Sequence, residues 1–165
     1  MKIKTSYIKQ IGKKLAMQLQ YMECDAYACY ESYDSSKEEF IIGSIPSETL
    51  SEFKKRHAKT LFLTVCDDGK KLIAMACISK VGRGKNACLS LHTLYVKPYW
   101  RNCKFGTSLL QKAIEIAKSK KMPLTLKVNP LNKGAWKLYE KLGFVPSKCQ
   151  NITMELNPSL TIKQC

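Results

Sequence analysis

Apolar positions in the first part of the chain follow a helical period. Ile8, Ile11, Leu15, Leu19 and Met22 are three or four residues apart, which predicts an amphipathic helix. A second helix is predicted over residues 47–55, with Ser44 or Ser47 as its N-cap. Apolar runs at residues 61–66, 71–81 and 87–96 then predict three strands, and the Asp-Gly pair before the second run is typical of a hairpin turn.

The second part of the chain alternates between the two element types. A helix is predicted over residues 106–120, a strand over 124–128, a helix over 132–142 and a last strand over 152–156. This order predicts one mixed α/β (α+β) domain spanning residues 1–165. Its sheet is expected to be mostly antiparallel and to be flanked by about four helices.

Composition is that of a globular protein, with 45% apolar and 25% charged residues. No apolar run is long enough to cross a bilayer, and the lysine-containing N-terminus lacks an apolar signal core, so we expect a cytoplasmic protein without a membrane partner. The eight cysteines form no C-x-x-C pair; we expect free thiols and no metal site. A monomer or a homodimer is expected.

The net charge of +15 is the unusual quantity, because such a field attracts anions. Part of it surrounds residues 97–121, where a predicted strand leads through a loop into a helix. Arg101 and Lys104 lie in this loop, and Gly106 allows an anion to approach the backbone closely. This chemistry predicts an anion-binding nest, and a basic loop with one packing glycine is the alternative.

The segment LYVKPYWRNCKFGTSLL resembles the acetyl-CoA motif of the GNAT superfamily of N-acetyltransferases. The segment NKGAWKLYEKLGF resembles the second signature of the same family, in the expected order. The resemblance implies a GNAT fold and acetyl-CoA as co-substrate. It implies cofactor contacts from the strand end at Leu94, Tyr95 and Val96, and from the loop and helix start at Arg101, Asn102, Cys103, Lys104, Phe105, Gly106 and Thr107. The chain departs from the motif at Lys104, where the family has glycine, and a requirement for positive φ there would cost energy.

Acetyl transfer to an amine needs a base, an acid and donors for the developing oxyanion. His92 titrates near neutrality and is our candidate base, with packing against the sheet as the alternative. Its strand also resembles that of the arylalkylamine N-acetyltransferases. Tyr139 matches the general acid of the family, and Asn132 matches a cofactor contact or caps a helix. The backbone N–H of Leu94 or a neighbour at a strand bulge is the expected oxyanion donor. His57, in a basic stretch, is expected at the surface.

The acceptor is left open by the sequence. The resemblance implies an acceptor site on the first two helices, where Tyr27 and Tyr30 accompany Glu23 and Asp25 and suit a cationic amine. The alternative is that these tyrosines only pack the helices. Three functions follow: acetylation of a primary amine of a small molecule or protein, acetylation of an RNA-bound substrate such as aminoacyl-tRNA, or acetyl-CoA binding with impaired catalysis.

Overall fold

A computed structural model describes residues 2–31, 45–147 and 153–156, without the side chains of residues 28–31, 153 and 155. Seven strands form one sheet in the order β1-β2-β3-β4-β5-β7-β6. All described neighbours are antiparallel except β4 and β5, which are parallel. The strands are β1 (Lys4–Tyr7), β2 (Leu61–Cys66), β3 (Leu72–Val81), β4 (Cys88–Val96), β5 (Leu124–Lys127), β6 (Val145–Pro146) and β7 (Thr153–Leu156).

Helices cover both faces of this sheet. They are α1 (Lys13–Glu31), α2 (Leu50–Arg56), α3 (Phe105–Ser119) and α4 (Lys133–Lys141). One buried cluster joins sheet residues to α1 and α2, and another joins the opposite sheet face to α3 and α4. Residues 72–78 of β3 are buried throughout, because this central strand is covered from both sides. The mixed α/β architecture with a mostly antiparallel sheet is therefore confirmed.

The structure corrects three details at the ends of elements. β1 and β6 are strands that the apolar pattern does not predict, because β1 is mostly exposed and β6 has two residues. Ile8 lies in a 3-10 turn before α1 and not in the helix itself. Thr49, not Ser47, caps α2: its hydroxyl accepts from the Glu52 N–H at 3.3 Å, and the Glu52 carboxylate accepts from the Thr49 N–H at 2.7 Å. Ser44 lies outside the described residues.

Within the described ranges, no helix has the length and apolar character that a membrane span requires. Cys24, Cys66, Cys77, Cys88 and Cys103 are free thiols. Cys77 is buried in β3, and Cys103 is exposed in the loop before α3.

Candidate active site

The middle of β4 carries a bulge. Cys77 of β3 pairs with Thr93, but the next residue, Ile78, pairs with Leu91, so His92 is an extra residue in β4. An extra residue reverses the alternation of side chains between the two faces. Leu91 accordingly packs toward α3, whereas Tyr95 packs with α1 and α2. The expected strand bulge is therefore present, and it lies at His92.

The bulge is also where β4 parts from β5. Their parallel pairing runs from Leu89 with Leu124 to Leu91 with Leu126, and in the described part of the chain it goes no further. β4 continues to Val96, so residues 92–96 extend beyond the shared ladder. Strand backbone without a neighbour on one side offers N–H and C=O groups to an extended ligand. This opening lies directly before the loop that leads to α3.

The loop before α3 has the backbone of an anion-binding nest. Asn102 and Lys104 both adopt left-handed conformations, with φ of 60° and 63°. The first hydrogen bond of α3 runs from the Ser108 N–H to the Lys104 carbonyl at 2.9 Å, and no side chain caps this end. The N–H groups of residues 105–107 therefore precede the intrahelical ladder and, with the helix dipole, favour an anion.

The conformation of Lys104 gives the departure from the family motif a physical meaning. Its φ of 63° and ψ of 5° lie in the region that glycine adopts without strain and other residues adopt at a cost. The chain therefore keeps the backbone shape that a glycine would have. It adds a cationic side chain beside the nest in exchange for local strain.

Gly106 leaves space at the start of α3. A Cβ placed on it would meet only Val96 Cγ2, at 3.7 Å, which is an ordinary van der Waals contact. The protein itself therefore does not need glycine at this position. Bare backbone at a helix start instead lets a pyrophosphate come close, so the residues present fit the phosphates of acetyl-CoA.

Arg101 ties this loop to the end of β4. Its Nε donates to the Val96 carbonyl at 3.1 Å, and its guanidinium carbon lies 5.7 Å from the centre of the Tyr95 ring. The Arg101 side chain thus fixes the position of the loop relative to the end of the strand. Trp100 and Phe105 pack edge to face, with ring centres 6.0 Å apart, and brace the same loop.

Tyr139 lies in α4 with only 8% of its surface exposed. Its ring packs against Phe144, with the ring centres 5.8 Å apart. Burial raises the pKa of Tyr139 to about 12, so its hydroxyl carries a proton throughout the neutral range. Asn132 is the N-cap of α4 and accepts from the Ala135 N–H at 3.0 Å. The described residues bring no three His, Cys, Asp or Glu side chains together as a metal site.

His92 has an exposed side chain, but the neighbouring protein still removes part of its water. This desolvation lowers the pKa of His92, electrostatic interaction with His57 lowers it further, and Glu23 partly offsets both. The imidazole is therefore neutral at neutral pH and able to accept a proton. Its electrostatic coupling to Glu23 and His57 links the β4 bulge to the α1 and α2 side of the sheet.

His57 is buried, with 6% of its surface exposed, so the expectation of a surface histidine was wrong. It follows the last turn of α2 and packs between Phe53 and Phe62, at ring-centre distances of 4.6 and 5.2 Å. One ring nitrogen lies 3.1 Å from the Thr60 hydroxyl and the other lies 3.1 Å from Glu23 Oε2. The cations beside His57 in the sequence suggest solvent exposure. In the structure, the turn after α2 directs the His57 side chain inward.

Glu23 is the buried anion of this cluster, with 3% of its surface exposed. Burial acts to raise the pKa of Glu23, but hydrogen bonds from His57 and Arg56 and their positive charges outweigh it and lower the pKa. Its Oε2 accepts from Arg56 Nη2 at 2.7 Å, whereas Oε1 has no hydrogen-bond partner among the described residues. The sequence predicts Glu23 as part of an acceptor site for a cationic amine, but not its contacts with Arg56 and His57.

Tyr27 lies one turn after Glu23 on α1 and is half exposed. Burial of its hydroxyl raises the pKa of Tyr27, the charge of Glu23 adds to this, and an interaction with Thr93 of β4 opposes it. Tyr27 therefore faces the bulged part of β4. Tyr30 belongs to α1, but its side chain lies outside the described residues.

The chain belongs to the acetyltransferase (GNAT) family, whose model matches residues 23–144. It is 37% identical over 86 residues to an uncharacterized N-acetyltransferase of Methanocaldococcus jannaschii. That match covers 48% of this chain and 37% of the relative, so the chain spans little more than a third of the relative's length.

Solved structures share the fold. A putative GNAT acetyltransferase of Desulfovibrio desulfuricans superposes with a TM-score of 0.67 at 12% identity, covering 96% of this chain and 100% of that one. The ribosomal-protein-S18-alanine N-acetyltransferase of Escherichia coli gives 0.64 at 19% identity, covering 99% of both chains. The NatC complex bound to Gag peptide and CoA gives 0.65 at 15% identity, covering 98% and 100%.

Proposed function

We propose that this chain is an acetyl-CoA-dependent N-acetyltransferase that transfers the acetyl group to a primary amine by direct attack. The observation that carries the proposal is the parting of β4 from β5 directly before the uncapped start of α3. The backbone of residues 94–96 would hold the pantetheine arm, and the N–H groups of residues 102–107 would hold the pyrophosphate. Acetyl-CoA supplies the activated thioester.

Tyr139 is the proposed general acid. A phenol with a pKa of about 12 keeps its proton at neutral pH, so Tyr139 holds a proton that it can share with the thiolate as the thioester bond breaks. His92 is the proposed general base, because its lowered pKa keeps the imidazole neutral where a protonated amine must lose a proton. The proposed acid belongs to α4 and the proposed base to β4.

The acceptor in this proposal is a cationic primary amine. Glu23 Oε1 has no hydrogen-bond partner among the described residues, and Tyr27 follows Glu23 by one turn on the same helix. A carboxylate and an aromatic ring together suit an ammonium group. Two of the structural neighbours have a protein alanine or a bound peptide in their descriptions, so protein α-amines belong in the substrate panel beside small amines and lysine side chains.

The test is thiol release from acetyl-CoA with this amine panel, followed by Tyr139→Phe. The variant should lower kcat by about 10²- to 10⁴-fold, the range for loss of a general acid, and leave CoA affinity unchanged. Tyr99→Phe is the matched control, because Tyr99 is 92% exposed and should keep full activity. Full kcat in Tyr139→Phe would contradict the assigned acid.

Aminoacyl-tRNA is added to the panel to decide between the remaining functions. Turnover confined to charged tRNA would support acetylation of an RNA-bound substrate. Tight CoA binding without turnover on any amine class would support a catalytically impaired acetyl-CoA-binding protein, for which the strained Lys104 is the structural argument.

A further inference from the structure

A second group of cations lies at the end of the sheet away from the nest. Three of them lie at the end of β3 and in the connection to β4, and three lie at or just after the end of α3: Lys80, Arg83, Lys85, Lys118, Lys120 and Lys121. All six are exposed, and none of them forms an ion pair among the described residues. Residues 79–88 and 117–124 contain no Asp or Glu. We call these six residues the basic end.

The two connections lie side by side. The Leu89 N–H, at the start of β4, donates to the Pro123 carbonyl, at the end of the α3–β5 connection, at 2.8 Å. The strand registers also bring the two connections together, because Leu89 pairs with both Lys80 of β3 and Leu124 of β5. The six cations therefore form one surface, although more than thirty positions separate the two groups along the chain.

The basic end is remote from the acetyl-CoA site. β4 has nine residues between the two ends, which corresponds to about 27 Å. α3 runs from the nest to the basic end over 15 residues, or about 22 Å. This separation exceeds the Debye length of about 8 Å at physiological salt. The cations of the basic end therefore do not serve the phosphates of a cofactor at Gly106.

The backbone of the basic end is ordered by tight turns. Gly82 has a φ of 75°, and a Cβ there would come within 2.3 Å of the Asn86 carbonyl oxygen. The Asn86 and Ala87 N–H groups donate to the Arg83 and Gly84 carbonyls, both at 3.2 Å. The Arg83 and Lys85 side chains thus project from a built turn.

Lys121 ends α3 in a left-handed conformation, with a φ of 51°. Glycine is the usual residue at this place after a helix, and a lysine there costs roughly 1 kcal/mol of strain. Lys118 and Lys120 suit the negative end of the helix dipole, but the dipole does not require a charge at the strained position. Lys121 thus adds a further exposed cation beside Lys118 and Lys120 despite this strain.

We propose that the basic end binds the phosphate backbone of a double-stranded nucleic acid. Closely spaced exposed cations without acidic neighbours match the phosphates of a duplex. Neither segment contains an aromatic side chain, so this surface lacks the stacking platforms on which single-stranded bases are bound. Its large exposed apolar side chain in the described segments is Val81, with 38% of its surface exposed, which is far less than the continuous apolar face with which amphipathic surfaces enter a lipid interface.

The test measures binding of the full chain to labelled RNA and DNA duplexes of one sequence by fluorescence anisotropy, between about 50 and about 200 mM salt. The triple variant Lys118→Gln, Lys120→Gln, Lys121→Gln should weaken binding by roughly tenfold or more and reduce the salt slope by about 2 to 3. The RNA and DNA arms show which duplex is preferred. Acetyl-CoA binding should be unchanged, which separates this site from the nest.

The control carries the same charge change elsewhere. Lys2→Gln, Lys4→Gln, Lys9→Gln alters three exposed lysines at the β1 edge of the sheet. Equal weakening by both triples would show that net charge alone attracts the duplex and would overturn the proposal. Tighter binding to phosphatidylserine vesicles or to a single-stranded oligonucleotide, at equal phosphate concentration, would overturn it as well.

Discussion

Replacing Lys104 with glycine is expected to stabilise the protein. At a φ of 63° a residue with a Cβ costs about 1 to 2 kcal/mol, and glycine removes this cost. Glycine also loses more chain entropy on folding, by about 0.5 to 1 kcal/mol. The difference is a net gain of about 0.5 to 1 kcal/mol, which for a chain of this size raises Tm by about 1 to 4 °C.

Lys104→Ala separates strain from charge. Alanine removes the ammonium and keeps the Cβ, so stability should stay within about 0.5 kcal/mol of the wild type. Both variants lose the exposed cation beside the nest, whose pairing with a phosphate is worth about 0.2 to 1 kcal/mol, and CoA affinity should fall by up to about fivefold in each. Calorimetric unfolding and titration with CoA measure the two effects separately.

Lys120→Gly is the matched control for the backbone effect. Lys120 is exposed at the other end of α3 with a φ of −87°, where glycine brings no relief, so this substitution should lower Tm. The reasoning is refuted if Lys104→Gly lowers Tm, or if Lys104→Ala raises Tm as much as Lys104→Gly does.

Three further predictions concern the nest, the base and the buried carboxylate. Gly106→Ala should keep or raise stability by up to about 1 kcal/mol, because the added methyl fits, and should raise the Kd for CoA by about tenfold or more. The kcat/KM of the wild type should rise with pH through a pKa below the ordinary 6.5 of histidine, and His92→Gln should abolish this limb of the profile. Glu23→Gln should destabilise the chain by about 1 to 3 kcal/mol, as measured by urea unfolding, because Arg56 and His57 lose their anion. Since the folded pKa of Glu23 is lowered, its contribution is present above the ordinary value of 4.5 and is lost as the pH falls below it, and the variant should lack this acid limb.

The controls use the same substitutions at exposed positions. Gly134→Ala in α4 should leave CoA binding intact, because its Cβ would lie 3.9 Å from the Asn132 side chain and away from the nest. Glu115→Gln, in an exposed pair with Lys112, should change stability by less than about 1 kcal/mol. Unchanged CoA affinity in Gly106→Ala, or a pH profile in His92→Gln identical to that of the wild type, would contradict the corresponding assignment.

Local pattern was sufficient for the strands and helices that frame the site. The prediction for residues 61–66 has the limits of β2, and the predicted limits of α3 are each within one residue of those observed. Continuous apolar runs between turn residues produce this agreement. β1 could not be predicted in this way, because the polar segment Lys4–Tyr7 becomes a strand only by pairing with β2.

The buried cluster of Glu23, Arg56 and His57 could not be predicted from the sequence. The segment around His57 is basic, and charge density there indicates solvent exposure. In the structure His57 turns beneath α2 to meet Glu23, a residue more than thirty positions earlier. No local pattern signals a contact of this separation. The pairing of a buried carboxylate with His57 and Arg56 follows from the packing of α1 on α2 and the sheet.

The sequence by itself determined the class of the domain, the motif residues between Val96 and Gly106, and the candidate acid Tyr139, because these depend on residue type and local spacing. Only the tertiary structure decided on which face of the sheet each side chain of β4 lies. Simple alternation places Leu91, Thr93 and Tyr95 on one face, whereas the bulge at His92 turns Leu91 toward α3 and Tyr95 toward α1. The physical reason is that a bulge is a mismatch in pairing between two strands, and neither strand encodes it alone.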